Sequence, residues 1–237
     1  MKLKYSIIIL LLAAVNVLGQ GKTYTFDLFT VKIENNYLHV YDKSKNKVFE
    51  KKFTNPTDFS FDLDEDGVEE YVVIDNSKDK DRDIYSFYVF NTIDSFYVAD
   101  SIYSGYFEPF TMKSDETGKT IIVTGNSKFD LLNSEDSILF IPINCWEYEN
   151  GNIIPVNNKV YKPFVDENDT LLDIIDSYFS SSGSDCKSIE KIKGAIASVY
   201  ANYTNAGDKL LAIQFLKRYY HCTDIVKFKE YLDKLLL

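Results

Sequence analysis

The sequence predicts an α+β protein with an N-terminal antiparallel β-meander and a C-terminal helical bundle or set of helical hairpins. From Thr23 to about Tyr161 the apolar residues alternate with polar ones, which is typical of half-buried strands. From Asp166 onward they recur at helical spacing instead. The 18 tyrosines and 17 phenylalanines also favour strands. Strands that come first and helices that follow indicate segregated β and α regions.

The first nineteen residues have the features of a secretory signal peptide. Lys2 and Lys4 precede an apolar run, and Val17 and Gly19 occupy positions −3 and −1 of a cleavage site. The alternative is an uncleaved membrane anchor, but the run of about nine residues, at ~1.5 Å each, is too short for a bilayer core of ~30 Å. We expect residues 1–19 to be removed, no other segment to cross a membrane, and the mature protein to be periplasmic or extracellular.

The charge balance limits the partners. The 36 acidic residues outnumber the 26 Lys and Arg residues, so the formal net charge is −10. A surface of this charge repels a phosphate backbone, which argues against nucleic acid as a partner. Two histidines and three cysteines are too few for a Cys/His zinc array and leave little material for acid–base chemistry near neutral pH.

Residues 20–163 are predicted to form a domain of repeated β-units. Turn clusters at residues 42–47, 76–83 and 150–152 separate short β-rich runs, as expected for an antiparallel meander. The last cluster contains the pair Asn150-Gly151, a strong signal for a two-residue hairpin.

Two recurrences indicate that these units are propeller-blade-like. The segment Tyr71–Lys78 is echoed by Ile121–Lys128, and an aromatic residue followed by Asp, Asn or Glu recurs at Tyr41, Phe90 and Tyr148. The spacings of 49 and 58 residues suit a four-stranded blade, although chance similarity is the alternative explanation. Fewer than three such units are expected, whereas a closed propeller has about 4–8 blades. We therefore predict an open stack or sandwich of units, not a closed ring.

Residues 164–237 are predicted to form a helical domain. The predicted helices begin near Asp166, at about residue 187, at about residue 208 and after Thr223, which would cap the last of them. Asn168 or Asp169 would cap the first helix, and residues 180–184 would form a flexible connector after it. One stretch resembles a tetratricopeptide helix pair, although ordinary core packing of a helical hairpin explains the same residues, Tyr203, Gly207 and Ala212.

The cysteines allow one disulfide to be predicted. The helices at about residues 187–203 and 208–221 have similar lengths and are joined by a tight turn, so an antiparallel arrangement brings Cys186 and Cys222 to the same end of the hairpin. Export would place both thiols in a compartment where disulfides persist. We predict that they are bonded and that Cys145 is a free, buried thiol in the β region. The alternative is three reduced core cysteines.

The most specific motif is an acidic loop between two strand-like segments, which runs Asp62-Leu-Asp-Glu-Asp-Gly-Val-Glu-Glu70. Carboxylates stand at positions 1, 3, 5 and 9, Gly67 permits a tight turn, and the carbonyl of Val68 is available. Ca²⁺ takes about six to eight oxygen ligands, which this spacing can supply. Val73 stands at position 12, where an EF-hand requires Glu, so the motif is not an EF-hand. The alternative is a solvated acidic turn.

This strand, Asp-rich loop and strand resemble the calcium loops of FG-GAP/VCBS-type β-repeats. The resemblance covers about residues 57–103, with a degenerate copy at about 108–156, but the chain lacks the family's Phe-Gly and Gly-Ala-Pro segments. The resemblance implies one Ca²⁺ and a set of ligands comprising the side chains of Asp62, Asp64, Asp66 and Glu70 and the carbonyl of Val68. The second copy keeps an acidic residue but has Lys and Thr around it, so we expect no metal there: Asp115, Lys113, Thr117 and Lys119.

These observations favour a secreted or periplasmic, non-catalytic binding module that is stabilised by Ca²⁺ and recognises a protein or a glycan at the cell envelope. His39 and His221 are expected to be packed or surface residues, and the sequence contains no nucleophile elbow, phosphate-binding glycine loop or zinc-protease motif. The alternatives are an extracytoplasmic hydrolase that uses a pair of carboxylates, and an envelope assembly component that docks through its helical half.

Overall fold

A computed structural model describes residues 22–132 and 139–236. The described part of the chain contains three four-stranded antiparallel sheets, none of them closed, followed by a helical region. The predicted α+β class is therefore confirmed. The predicted signal peptide, residues 1–19, lies outside the described residues. Within these residues every helix is too short or too polar to cross a membrane.

Each sheet is a meander in which strand order follows chain order. The first sheet contains β1 (Thr23–Thr25), β2 (Phe29–Glu34), β3 (Tyr37–Asp42) and β4 (Lys47–Lys52). The second contains β5 (Pro56–Phe61), β6 (Glu70–Asp79), β7 (Arg82–Asn91) and β8 (Tyr97–Gly105). The third contains β9 (Phe110–Lys113), β10 (Thr120–Gly125), β11 (Ile143–Glu149) and β12 (Asn152–Pro155). The expectation of fewer than three four-stranded units is therefore wrong.

The recurring aromatic–polar pairs occupy equivalent places in the three sheets. Asp42, Asn91 and Glu149 are the last residues of β3, β7 and β11, each of which is the third strand of its sheet. The Asn150-Gly151 hairpin is confirmed, since Glu149 pairs with Asn152 and both turn residues have positive φ. The turn predicted at residues 76–83 is wrong in extent, because β6 and β7 pair as far as Asp79 and Arg82.

The described chain divides into two compact units. One comprises the described residues up to Phe53 together with Thr92–Tyr97, and it contains the first sheet. Val31, Leu38 and Val40 are fully buried on this sheet. The rings of Phe29 and Phe49 lie 5.9 and 5.5 Å from that of Phe96, so the segment between β7 and β8 completes this core.

The other unit comprises Thr54–Asn91 and the described residues from Val98 onward. Its second and third sheets share a hydrophobic core that includes Leu63, Phe87 and Tyr148. The backbone N–H of Ile153 on β12 also donates to the carboxylate of Asp100 on β8, at 2.8 Å. These contacts hold the two sheets of this unit together.

Five α-helices follow the third sheet: α1 (Lys162–Ser182), α2 (Cys186–Lys191), α3 (Lys193–Asn205), α4 (Lys209–Tyr219) and α5 (Ile225–Leu235). The predicted caps Asn168 and Asp169 are wrong, because α1 begins earlier and contains both residues. The predicted cap Thr223 is also wrong, since Asp224 occupies that position. The helix expected at about 187–203 is divided at Ile192 into α2 and α3.

Buried amides connect the third sheet to the helices. Asn202 on α3 accepts the N–H of Ile143 at 3.0 Å and donates to Asn168 on α1 at 3.0 Å. Asn205 donates to the carbonyl of Ile143 at 3.1 Å. Both polar groups of the first residue of β11 are thus satisfied by α3, which gives the helices a defined position against this sheet.

The predicted disulfide is confirmed. Cys186 at the start of α2 is bonded to Cys222, which follows α4, and their Cα atoms are 5.5 Å apart. Cys145 is free and fully buried on β11. Burial raises the pKa of its thiol to about 12, so this thiol stays protonated and unreactive near neutral pH.

Candidate metal site

The acidic loop joins two paired strands of the second sheet. Phe61 at the end of β5 pairs with Glu70 at the start of β6, so residues 62–69 form the connection. The carboxylate of Asp62 accepts the N–H of Asp66 at 3.1 Å and that of Gly67 at 2.9 Å. Gly67 has φ +91°, a conformation that favours glycine. Asp62 thus closes the loop onto itself.

Glu70 anchors the loop to the hydrophobic core. Its side chain is only 6% exposed, and its Oε2 accepts the N–H of Leu63 at 2.9 Å. Leu63 is 1% exposed and packs in the core between the second and third sheets. The buried leucine and the buried glutamate therefore fix both ends of the loop.

Three carboxylates converge inside this loop. Ligand oxygens of Asp62, Asp64 and Glu70 all lie within 4.8 Å of one another. One oxygen of Asp64, Oδ1, is inaccessible to solvent and has no hydrogen-bond partner among the described residues. A buried carboxylate oxygen without a partner is costly, because it has lost its hydration without compensation. A cation at this point would supply the missing interaction.

The pKa values of Glu70 and Asp64 show that these two carboxylates are destabilised as anions. Burial, followed by the nearby charges of Asp64 and Asp66, raises the pKa of Glu70 to about 7. Burial and the charges of Asp66 and Asp62 raise the pKa of Asp64 above its ordinary value. Desolvation and like charges both disfavour the ionised form. The loop therefore holds negative charge that its own residues do not neutralise.

The other acidic residues of the loop have partners outside this group of three carboxylates. Glu65 forms an ion pair with Lys113 on β9, and Glu69 accepts the hydroxyl of Ser60 at 2.6 Å. Asp66 Oδ1 accepts the N–H of Val68 at 2.8 Å. The structure thus brings together Asp62, Asp64 and Glu70 from the predicted ligand set. Metal ligation by these three side chains, by the Asp66 side chain and by the Val68 carbonyl remains a prediction.

The oxygen donors fit calcium better than a transition metal. Three carboxylates offer six oxygens, and Ca²⁺ takes about six to eight oxygen ligands at about 2.3–2.6 Å. Zinc and copper prefer nitrogen and sulfur ligands, which this group does not contain. A divalent cation here would change the mutual repulsion of the three carboxylates into attraction to a common ion.

The two histidines, His39 and His221, are not part of the group of carboxylates. His39 is on β3 of the first sheet, where its Nδ1 is 3.0 Å from Glu50 Oε2. His221 follows α4 next to Cys222.

Sequence reasoning missed Lys113 as the partner of Glu65, because the two residues are 48 positions apart. It also missed a polar cavity in the helical region, which no local motif marks.

The fold and the loop together define a class: an α+β protein with three four-stranded meanders and an acidic turn between two core strands. Comparison of the chain with protein-family models, with curated proteins and with solved structures found no match in any of the three.

Proposed function

We propose that this protein is a periplasmic or secreted, non-catalytic binding module whose β5–β6 loop holds one structural Ca²⁺. The observation that carries the proposal is the convergence of Asp62, Asp64 and Glu70 in a turn that joins two paired core strands. The ion would fix the turn and the strand register, because the strands are hydrogen-bonded immediately beside the carboxylates. Its role is stability.

The organisation of the strands supports a blade-like unit as the building element. Three consecutive meanders of four strands follow one another along the chain, and a propeller blade is a four-stranded sheet of this kind. The resemblance of residues 57–103 to FG-GAP/VCBS repeats adds the position of the calcium loop between two strands. We therefore infer that the β-sheets are open, blade-like units of that type.

The disulfide supports an extracytoplasmic location. Bonds such as Cys186–Cys222 persist in oxidising compartments and are rare in the cytosol. The signal-peptide features of residues 1–19 point the same way. The proposed partner is a protein or a glycan at the cell envelope.

One observation favours a second candidate, an extracytoplasmic hydrolase. Burial raises the pKa of Glu70 to about 7, which suits a general acid, and the carboxylate of Asp64 lies beside it. A screen with chromogenic glycosides, esters and peptides separates the two functions. Turnover that disappears in Glu70→Gln would establish the hydrolase and refute the binding module.

Titration calorimetry tests the calcium site in the mature chain. We expect one calcium ion to bind wild type, and Asp64→Asn to lose most of the binding heat because it removes one charge from the group. Asp115→Asn is the matched control, since it removes one charge from the corresponding loop of the third sheet and should leave the titration unchanged. Equal titrations for wild type and Asp64→Asn would refute the site.

A further inference from the structure

The helical region contains a cavity of about 710 Å³ that the proposed calcium site does not explain. Its walls come from the 3-10 turn after β12 (Asn157–Lys159), the end of α3, the start of α4 and one face of α5. Ligand sites for small molecules have volumes of about 300–1,000 Å³ and combine an apolar lining with a few placed polar groups. We call this cavity the helical cleft.

One wall of the helical cleft is a closed network of charged and polar groups. The hydroxyl of Tyr200 donates to Asp233 Oδ1 at 2.6 Å, and the ammonium of Lys229 donates to Asp233 Oδ2 at 2.6 Å. Each oxygen of the carboxylate therefore has a donor. The charge of Lys229 is neutralised within the wall, and the three side chains hold one another in place.

Two polar side chains of the helical cleft are left over. Both side chains are exposed, and within residues 22–132 and 139–236 neither Lys209 nor Asn158 forms a side-chain hydrogen bond or ion pair. Lys209 is the first residue of α4. The pKa of Asp233 is lowered against the effect of its burial, mainly by the hydrogen bonds from Lys229 and Tyr200 and to a smaller extent by the charges of Lys229 and Lys209. Because Lys229 and Asp233 cancel, Lys209 leaves the helical cleft with one net positive charge in a chain of net charge −10.

The remaining lining is apolar. Pro155, Ile213 and Leu236 complete the helical cleft beside the lysine and the amide. This surface combines a lysine and an amide whose side chains form no hydrogen bond among the described residues with aliphatic side chains. A ligand that matches all three carries a carboxylate, hydroxyl groups and a C–H face.

We propose that the helical cleft binds a small hydroxylated carboxylate of the acidic-sugar class. Lys209 would pair with the carboxylate, Asn158 would hydrogen-bond a hydroxyl, and the aliphatic residues would contact the ring. This inference deepens the proposed binding role, because it names a ligand class for the module. It does not depend on the calcium loop.

The test is a titration of the mature, full-length chain with D-glucuronate, followed by NMR or calorimetry. D-glucose serves as the neutral analogue and inorganic sulfate as a simple anion. We expect glucuronate to bind at least about tenfold more tightly than glucose and sulfate. Lys209→Gln should weaken glucuronate binding about tenfold or more, because a hydrogen bond to a charged group is lost. Lys217→Gln, an exposed lysine of the same helix that does not line the helical cleft, should bind like wild type.

Three results would overturn the proposal: no glucuronate binding, equal affinity for sulfate, or unchanged affinity in Lys209→Gln. The titration is run in EGTA, and each variant is first shown to melt like wild type. Failure of the calcium site and failure of the helical cleft are then separate results.

Discussion

Two loops at equivalent places in consecutive sheets treat their acidic residues in opposite ways. Each joins the first strand of its sheet to the second. In the β5–β6 loop, the carboxylates of Asp62, Asp64 and Glu70 face one another, and burial and like charges raise the pKa of Glu70 to about 7. A cation from outside the loop would reduce the repulsion among these carboxylates.

In the β9–β10 loop, the protein itself satisfies the acidic residues. Oε1 of Glu116 accepts the N–H of Lys162 at 2.7 Å and that of Tyr161 at 3.1 Å, where α1 begins. These hydrogen bonds hold the pKa of Glu116 below its ordinary value. Asp115 lies 3.7 Å from the ammonium of Lys162. The loop is closed by a hydrogen bond from the N–H of Ser114 to the carbonyl of Lys119, at 2.9 Å.

The difference indicates what would separate the proposed metal loop from an acidic turn. Acidic residues alone do not distinguish them, because both loops are acidic. Backbone N–H groups bond acidic residues in both loops, so they do not distinguish them either. What distinguishes them is that three carboxylates converge in the β5–β6 loop, whereas the β9–β10 loop has a lysine beside its acidic residues. In the β5–β6 loop only the outer residue Glu65 has such a lysine, Lys113, whereas the three inner carboxylates face each other.

The largest expected effect comes from the disulfide, which lies in neither loop. Replacing Cys186 and Cys222 together by Ser should lower the free energy of unfolding by about 4 kcal/mol, because the bond closes a loop between two cysteines that are 36 positions apart in the sequence. Urea unfolding measures this change. The calcium heat should be retained, and its loss would show that the metal effect is not local to the β5–β6 loop.

The next effect is expected at Asp62. Asp62→Ala removes one carboxylate from the metal group and the acceptor of two backbone N–H groups. We expect a loss of about 1–2 kcal/mol in EGTA and the additional loss of all stabilisation by calcium. Asp115→Ala is the control, because its side chain is 79% exposed and should contribute less than about 0.5 kcal/mol in either buffer. Equal calcium responses of the two variants would remove the contrast between the loops.

A smaller effect is expected at Glu116. Glu116→Gln keeps an acceptor for the start of α1 but removes its negative charge, which is favourable at a helix N-terminus. The expected loss is about 0.5–1 kcal/mol near neutral pH, independent of calcium. Chemical unfolding in EGTA and in calcium measures it. A calcium-dependent loss would contradict the assignment of this loop as metal-free.

The stability difference between wild type and Glu116→Gln should depend on pH. Folding lowers the pKa of Glu116 from 4.5, so the folded state binds fewer protons than the unfolded state near that pH. The stabilisation by the Glu116 carboxylate is therefore fully present above pH 4.5. That stabilisation is lost as the pH falls through the lowered value. The difference between wild type and Glu116→Gln should therefore shrink in acid. A difference that grows in acid would show that the pKa is raised.

Local sequence patterns predicted much of the β region and of the acidic loop. They did not predict contacts between residues that are far apart in the sequence. Alternation marked the strands, and the spacing of Asp62, Asp64 and Glu70 marked the carboxylates that converge. The start of α1 was missed because its first N–H groups bond Glu116, which is 46 positions before Lys162. The first sheet was not counted as a separate unit, although Tyr41 on its third strand is one of the three recurring aromatic residues. The helical cleft combines four separated segments, so no local spacing could reveal it.

The central claim is that the β5–β6 loop is stabilised by calcium, and thermal melting of the mature protein in EGTA and in calcium tests it most directly. At a free calcium concentration of about 100 times the dissociation constant, one site adds about 2.7 kcal/mol, which corresponds to about 5–10 °C for a chain of this size. We expect this increase in wild type and in Asp115→Ala, and none in Asp64→Ala. Identical melting temperatures of the wild-type protein in both buffers would contradict the account and leave the loop as an acidic turn.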